Sequence, residues 1–334
     1  MDFREDDLKI FTTSEADFEA LALKIFHFQY GNNKVYHAYV TALGIRAGDI
    51  ENSSQIPFLP IRFFKSHRVV SSVFDPAVVF ESSGTTGSIN SLHYVKDLNV
   101  YVTSFTVAFK IFYGPVGEWC ILGLLPSYLE RKGSSLVYMV NDLINRSGHE
   151  RSGFYLDEHE KLYELLVELE KRKQKTLLIG VSFALLDFAE RYHLPLEHTT
   201  IMETGGMKGR RQEMIREEVH DRLKKTFGNR SIHSEYGMTE LLSQAYSSGE
   251  GVFKCPPWMK VLLRDEEDPL RIKEFSGRDS IRGVINIVDL ANIYSCSFIA
   301  TDDAGKLYQD GSFEVIGRID NSDIRGCSLM VVLK

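Results

Sequence analysis

Glu81-Ser82-Ser83-Gly84-Thr85-Thr86-Gly87 packs two serines, two threonines and two glycines directly behind the apolar run Val78-Val79-Phe80. Gly84 and Gly87 let the backbone turn tightly and come close to a ligand. Consecutive N–H groups with hydroxyls beside them make a nest for an anion such as phosphate. No Gly-Lys-Ser/Thr ending follows, so this is not a Walker A loop. A polar surface turn is the plain alternative, and the strand in front of the loop argues against it. About 150 residues later stands Tyr236-Gly237-Met238-Thr239-Glu240. A tyrosine offers a flat face for a base, a threonine a hydroxyl for phosphate, and a glutamate an oxygen ligand for Mg²⁺. A third group lies further on: Thr301-Asp302-Asp303-Ala304-Gly305, then Gly317-Arg318-Ile319-Asp320. An aspartate can accept both hydroxyls of a ribose, and an arginine is a fixed cation for ribose or phosphate. Turn chemistry before Gly305 competes for Asp302 and Asp303, and a surface salt bridge competes for Arg318.

The elements that must hold these residues alternate between about 75 and 240. Trp119 to Leu125 and Thr176 to Val181 are continuous apolar runs, which suits strands buried on both faces. Asp97 predicts the cap of a helix over Leu98 to Phe112, and Gly228 the end of a helix over Arg210 to Phe227. Thr199 to Glu203 is read as a strand and Ser182 to Tyr192 as a helix. After Pro256-Pro257 strand-like pieces follow one another, with Asp310-Gly311 as a hairpin signal. The expectation is an α/β fold: a large domain of parallel sheet flanked by helices over 1–255, a β-rich subdomain over 256–320, and a short tail over 321–334.

The net charge is −7, with 43% hydrophobic and 25% charged residues. That balance argues against non-specific nucleic-acid binding, and no apolar run is long enough to span a bilayer. Cys120, Cys255, Cys296 and Cys327 form no C-x-x-C pair. Free thiols of this kind suit a reducing cytoplasm, and the acidic, mixed start Met1 to Ile10 has no signal-peptide pattern.

The three motifs in this order resemble the acyl-adenylate-forming superfamily, which includes acyl- and aryl-CoA ligases and peptide-synthetase adenylation domains. The resemblance spans about residues 75–327 and implies ATP and Mg²⁺. It puts Ser82, Ser83, Gly84, Thr85, Thr86 and Gly87 on the phosphates, and Tyr236 and Gly237 at the adenine. It puts Thr239 on phosphate, Glu240 on the metal, Asp303 rather than Asp302 on the ribose, and Arg318 in the family's G-R-x-D element. Gly205 and Gly206 match its glycine-rich strand end. Two departures stand out: no lysine directly follows Gly87, and only fourteen residues follow Asp320, so the superfamily's C-terminal lid is expected to be absent.

Within the superfamily the chain resembles the acyl-protein synthetases of the bacterial bioluminescence fatty-acid reductase complex. Ile56-Pro57-Phe58-Leu59-Pro60-Ile61-Arg62-Phe63-Phe64-Lys65-Ser66 matches their segment before the phosphate loop. That likeness implies a fatty acid as substrate, Cys327 as the residue that receives the acyl group as a thioester, and a reductase or other acyl-transfer protein as partner. From the residues alone Cys327 is either a nucleophile beside Arg325 or a small apolar residue of a terminal strand. An aryl- or acyl-CoA ligase with its lid on another chain, and a nucleotide-binding protein without catalysis, are the alternatives. Phe183 and Leu185 lie where the superfamily lines its acyl pocket, and core packing explains them equally.

Overall fold

The protein is seen in a computed structural model that describes residues 7–83, 89–125, 133–156, 158–205, 214–228 and 230–319. Two helices open it, α1 (Glu15–Asn32) and α2 (Lys34–Ala42). Asn33 separates them, because its side chain accepts the N–H groups of Val35 and Tyr36 and starts a new helix. Then come β1 (Leu59–Pro60) and α3 (Phe63–Ser66), and the arms of a hairpin, β2 (Val78–Glu81) and β3 (Leu92–Val95). Helix α4 (Leu98–Tyr113) begins where Asp97 accepts the Asn99 N–H and ends at Gly114, whose φ is 83°.

Alternation follows: β4 (Cys120–Leu124), α5 (Ser135–Ser147), β5 (Gly153–Phe154), α6 (His159–Lys171), β6 (Thr176–Val181), α7 (Ser182–Arg191), β7 (Thr199–Thr204), α8 (Arg216–Phe227) and β8 (His233–Tyr236). These strands and β9 (Ala245–Ser247) form one sheet in the order β5-β4-β6-β7-β8-β9, parallel except for β9. Every residue of β4 and β6 is buried, which is why both read as unbroken apolar runs. Side chains alternate faces along a strand. Ser234 bonds His220 of α8, and Tyr246, the cross-strand partner of Glu235, packs against Phe112 and Tyr113 of α4. Hence α8 covers one face and α4 the other. The α7 ring of Phe188 stacks on Phe227 of α8, 6.0 Å between centroids. Phe183 and Leu185, at 7% and 0% exposure, are core residues of α7.

The rest is antiparallel: β10 (Val252–Phe253), β11 (Met259–Arg264), β12 (Ser280–Asp289), β13 (Phe298–Tyr308) and β14 (Phe313–Arg318), ordered β10-β14-β13-β12-β11. Strand β1 adds to it parallel to β13, pairing Leu59 with Ile299. Thr301-Asp302-Asp303-Ala304-Gly305 runs through the middle of β13 rather than forming a turn. Gly305 serves a bulge there, since a Cβ would lie 2.7 Å from Ile285 and 2.8 Å from the Glu314 carbonyl. The turn lies at the predicted Asp310-Gly311, where Gly311 has φ 80°. Among the described residues no helix is long and apolar enough to cross a membrane.

Candidate active site

The carboxyl ends of β7 and β8 face strands β13 and β14, and the predicted residues of separate motifs meet there. Tyr236 closes β8. Its hydroxyl donates to Asp303 Oδ2 at 2.8 Å, and Arg318 Nε approaches Asp303 Oδ1 at 3.3 Å. Asp303 and Arg318 are cross-strand partners in β13 and β14, so strand register sets this pair. Asp303 is buried, while the Arg318 side chain is 84% exposed. Asp302 faces elsewhere, toward Arg62 at 3.3 Å. The Tyr236 ring lies 5.8 Å from Phe253 and 5.5 Å from Phe313, which back it from the second sheet. Burial first, then the neighbouring Asp303, hold its phenol well above the usual tyrosine range.

The Thr239–Glu240 turn is fixed by residues that the motifs do not name. His93, on β3, has Nδ1 2.8 Å from the Thr239 carbonyl and Nε2 3.0 Å from Asn292 Oδ1, and the neutral ring gives its one N–H to one of these two acceptors. Asn292 Nδ2 donates to the carbonyls of Glu240 at 2.7 Å and Cys296 at 2.9 Å. Asp289 accepts from Leu242 N at 2.8 Å and Ser243 Oγ at 2.5 Å. Burial lowers the His93 imidazole to about 4 and raises the Asp289 carboxyl to about 6. Glu240 is 5% exposed; burial raises its carboxyl, opposed by a bond from Ser91 and the charges of Arg318 and Lys65.

The base of the Ser82–Ser91 loop is tied by Ser82 N to Ser91 O at 3.0 Å, Ser91 N to Ser82 Oγ at 2.8 Å, and Asn90 Nδ2 to Glu81 Oε1 at 2.7 Å. Ser83 is exposed beside it. Gly84, Thr85, Thr86, Gly87, Gly206 and Cys327 lie outside the described residues. Gly205, exposed at the end of β7 with φ 67°, gives its carbonyl to Ser182 Oγ at 2.7 Å. Of the other thiols, burial raises Cys120 to about 11 and Cys255 and Cys296 to about 12, which leaves all three weak nucleophiles at neutral pH.

Two acidic side chains beneath the site have no signal in the sequence beyond adjacency to a motif. Glu203, on β7, meets Arg216 Nε at 3.0 Å and Ser182 Oγ at 2.8 Å. Arg216 also reaches the Val315 carbonyl at 3.2 Å and lies over the Phe253 ring, so it spans from one sheet to the other. Glu235, on the α4 face, bonds the Thr204 hydroxyl. Burial raises its carboxyl from 4.5 to about 7; the Thr204 bond works against this, and the neighbouring Glu203 adds to it. The folded protein therefore holds this proton more tightly than the unfolded chain. The stability from Glu235 is fully present below about pH 4.5 and is lost as pH rises through about 7. Glu235→Gln is expected to gain melting temperature relative to the wild type between about pH 5 and pH 8. A constant difference across that range would show that Glu235 titrates normally.

No protein-family model matches the chain, and no curated protein does. Solved structures do. ATP-bound MatB from Rhodopseudomonas palustris aligns at a TM-score of 0.55 and 15% identity, over 75% of this chain and 49% of that one. A long-chain-fatty-acid–CoA ligase from Archaeoglobus fulgidus aligns at 0.52 and 16% identity, over 73% and 52%. A 2-hydroxyisobutyryl-CoA ligase in complex with 2-HIB-AMP and CoA aligns at 0.65 and 11% identity, over 90% and 69%. The mixed α/β fold is the one that these ligase structures share with the chain over the aligned part. At these identities the likeness carries the fold alone, and the chain spans about half the length of the first of these structures.

Proposed function

We propose that the protein activates a carboxylic acid, a fatty acid, as its acyl-adenylate and passes the acyl group to the Cys327 thiol, from which a reductase or other acyl-transfer partner collects it. The observation that carries the adenylating half is the bonded cluster Tyr236–Asp303–Arg318. Its members come from separate strands of two sheets, and it stands at strand ends, where open α/β sheets hold ligands.

In this reading the Tyr236 ring edge and Gly205 border the adenine, Asp303 accepts ribose hydroxyls, and Arg318 closes over the ribose. Ser82, Ser83 and the loop through Gly87, with Thr239, hold phosphate oxygens. A carboxylate oxygen of the acid attacks the α-phosphorus. A new C(O)–O–P bond forms as the bond to the β-phosphate oxygen breaks, and pyrophosphate leaves with the electron pair. Positioning and charge stabilisation supply the rate. Mg²⁺ fits the chemistry of Glu240, a buried carboxylate that would give it one oxygen while substrate phosphates give others. That is the sparse protein ligation Mg²⁺ uses when substrate phosphates complete its shell. When bound it supplies positive charge against the triphosphate. The Cys327 thiolate then attacks the acyl carbon of the mixed anhydride, forming the thioester and expelling AMP.

Two measurements test this. Acid-dependent exchange of pyrophosphate into ATP is expected; its absence with aliphatic and aromatic acids alike would leave a binding protein only. Cys327→Ser is expected to keep exchange but lose hydroxylamine-sensitive acyl label on the protein. Undiminished label on that variant would move the acceptor role elsewhere, and acyl transfer to added CoA would make it an acyl-CoA ligase.

A further inference from the structure

Beneath Gly237, on the α4 face of the sheet, three polar side chains are buried together: Glu235 at 9% exposure, and Gln244 and Tyr246 at 3% each. A methyl group placed on Gly237 would overlap Glu235 Oε1 and lie 3.2 Å from Gln244 Cγ, so the two side chains share the space under that glycine. Tyr246 is the cross-strand partner of Glu235. Their bonding is incomplete. Thr204 serves Glu235 Oε2. Tyr101 bonds Gln244 and gives its own hydrogen to the Ser135 carbonyl at 3.0 Å. Gln244 Oε1 and the Tyr246 hydroxyl have no partner in the described structure. The ionised group that acts on Glu235 is another carboxylate, Glu203, and burial with this neighbour raises its carboxyl to about 7. Gln244 Oε1 lacks a donor, and the Tyr246 hydroxyl, which can donate as well as accept, lacks any partner. Buried polar atoms are almost always satisfied, and each orphan asks for its missing partner.

Gly237 stands between Tyr236 and Thr239, which the adenylating reading puts beside the nucleotide, so in that reading the cluster adjoins the space for the acid. A plain alkyl chain laid there would bury methylenes against an unpaired amide oxygen, an unpaired hydroxyl and a carboxyl group, which is unfavourable. We propose that the acid activated at this site carries a hydrogen-bond-donating substituent, a hydroxyl or an ammonium group, near its carboxyl end, and that Glu235, Gln244 and Tyr246 receive it. This rests on the adenylating reading above and narrows its substrate from fatty acids in general to substituted ones.

Calorimetric binding in the presence of AMP, run beside pyrophosphate exchange, tests it with decanoate and its β-hydroxy and β-amino derivatives. At least one derivative is expected to bind about tenfold or more tightly than decanoate, the scale of one hydrogen bond to a charged group. Glu235→Leu is expected to abolish that preference and leave AMP affinity unchanged. Glu235→Gln keeps a preference for the hydroxy acid but not for the amino acid, which tells the two donors apart. Tyr246→Phe removes a single hydroxyl and is expected to shrink the preference, so the test survives if Glu235→Leu does not fold. Equal binding of decanoate, a preference that persists in both the Leu and Phe variants, or no binding of either derivative overturns the inference. A preference in binding without exchange would uphold it and remove the adenylating reading; exchange with decanoate and no preference would do the reverse.

Discussion

Asp303→Ala is expected to weaken ATP and AMP binding about a hundredfold or more, while Tyr236→Phe costs about tenfold or less. Asp303 has two oxygens, which meet the Tyr236 hydroxyl and Arg318. If the carboxylate takes two ribose hydroxyls, its loss removes two charge-assisted bonds of roughly 1.5–3 kcal/mol each. Tyr236→Phe removes only the 2.8 Å bond to Asp303 and keeps the ring packed on Phe253 and Phe313. The pair of variants separates two roles that one mutation would confuse. Were Asp303 present only to satisfy a buried phenol, both variants would lower the melting temperature by similar amounts and leave AMP affinity nearly alike. Calorimetry with AMP, with melting curves as the control, reads the difference.

Glu240→Gln is expected to lower pyrophosphate exchange about a hundredfold or more and to raise the Mg²⁺ concentration at half-maximal rate. The amide keeps the size of the side chain and can still bond Ser91, but it carries no charge toward a metal. Its fold should persist, because the turn is held through the Thr239 and Glu240 carbonyls by His93 and Asn292, which the substitution leaves alone. Near wild-type exchange with an unchanged Mg²⁺ requirement would take Glu240 out of metal binding and leave it a buried acid below the loop.

The parts of this architecture that rest on local physics were readable in advance. Strands β4 and β6 are apolar at nearly every position because helices cover both faces, and Asp97 and Gly228 mark helix ends by capping chemistry. Asp302 and Asp303 could not be told apart by residue type. The resemblance selected Asp303, and the pleat of β13 is what aims it at Tyr236 while Asp302 turns to Arg62. Residue types alone suggest a turn before Gly305; the glycine is required instead by a bulge against Ile285, a contact that only the sheet reveals. Two-residue β1 pairs with a strand some 240 residues away, beyond the reach of any local pattern. Glu235 and Gln244 gave no sign of burial, because an acid or amide beside a motif looks the same whether solvated or enclosed.

Asn292 binds together segments that are distant along the chain. Its side chain joins His93, 199 residues earlier, to the Glu240 carbonyl, 52 residues earlier, and to Cys296. Closing such long loops is slow, because their entropy is lost before the contacts return anything. During synthesis the helices and the parallel sheet can collapse while β12 and β13 are still inside the ribosome, and His93 can already meet the Thr239 carbonyl, but the Glu240 carbonyl has no anchor until Asn292 emerges. The order runs the same way in the folded ensemble. Any fluctuation that parts the antiparallel sheet from the rest frees His93, the turn and the Cys296 segment together, so hydrogen exchange at these three places should rise and fall as one cooperative unit.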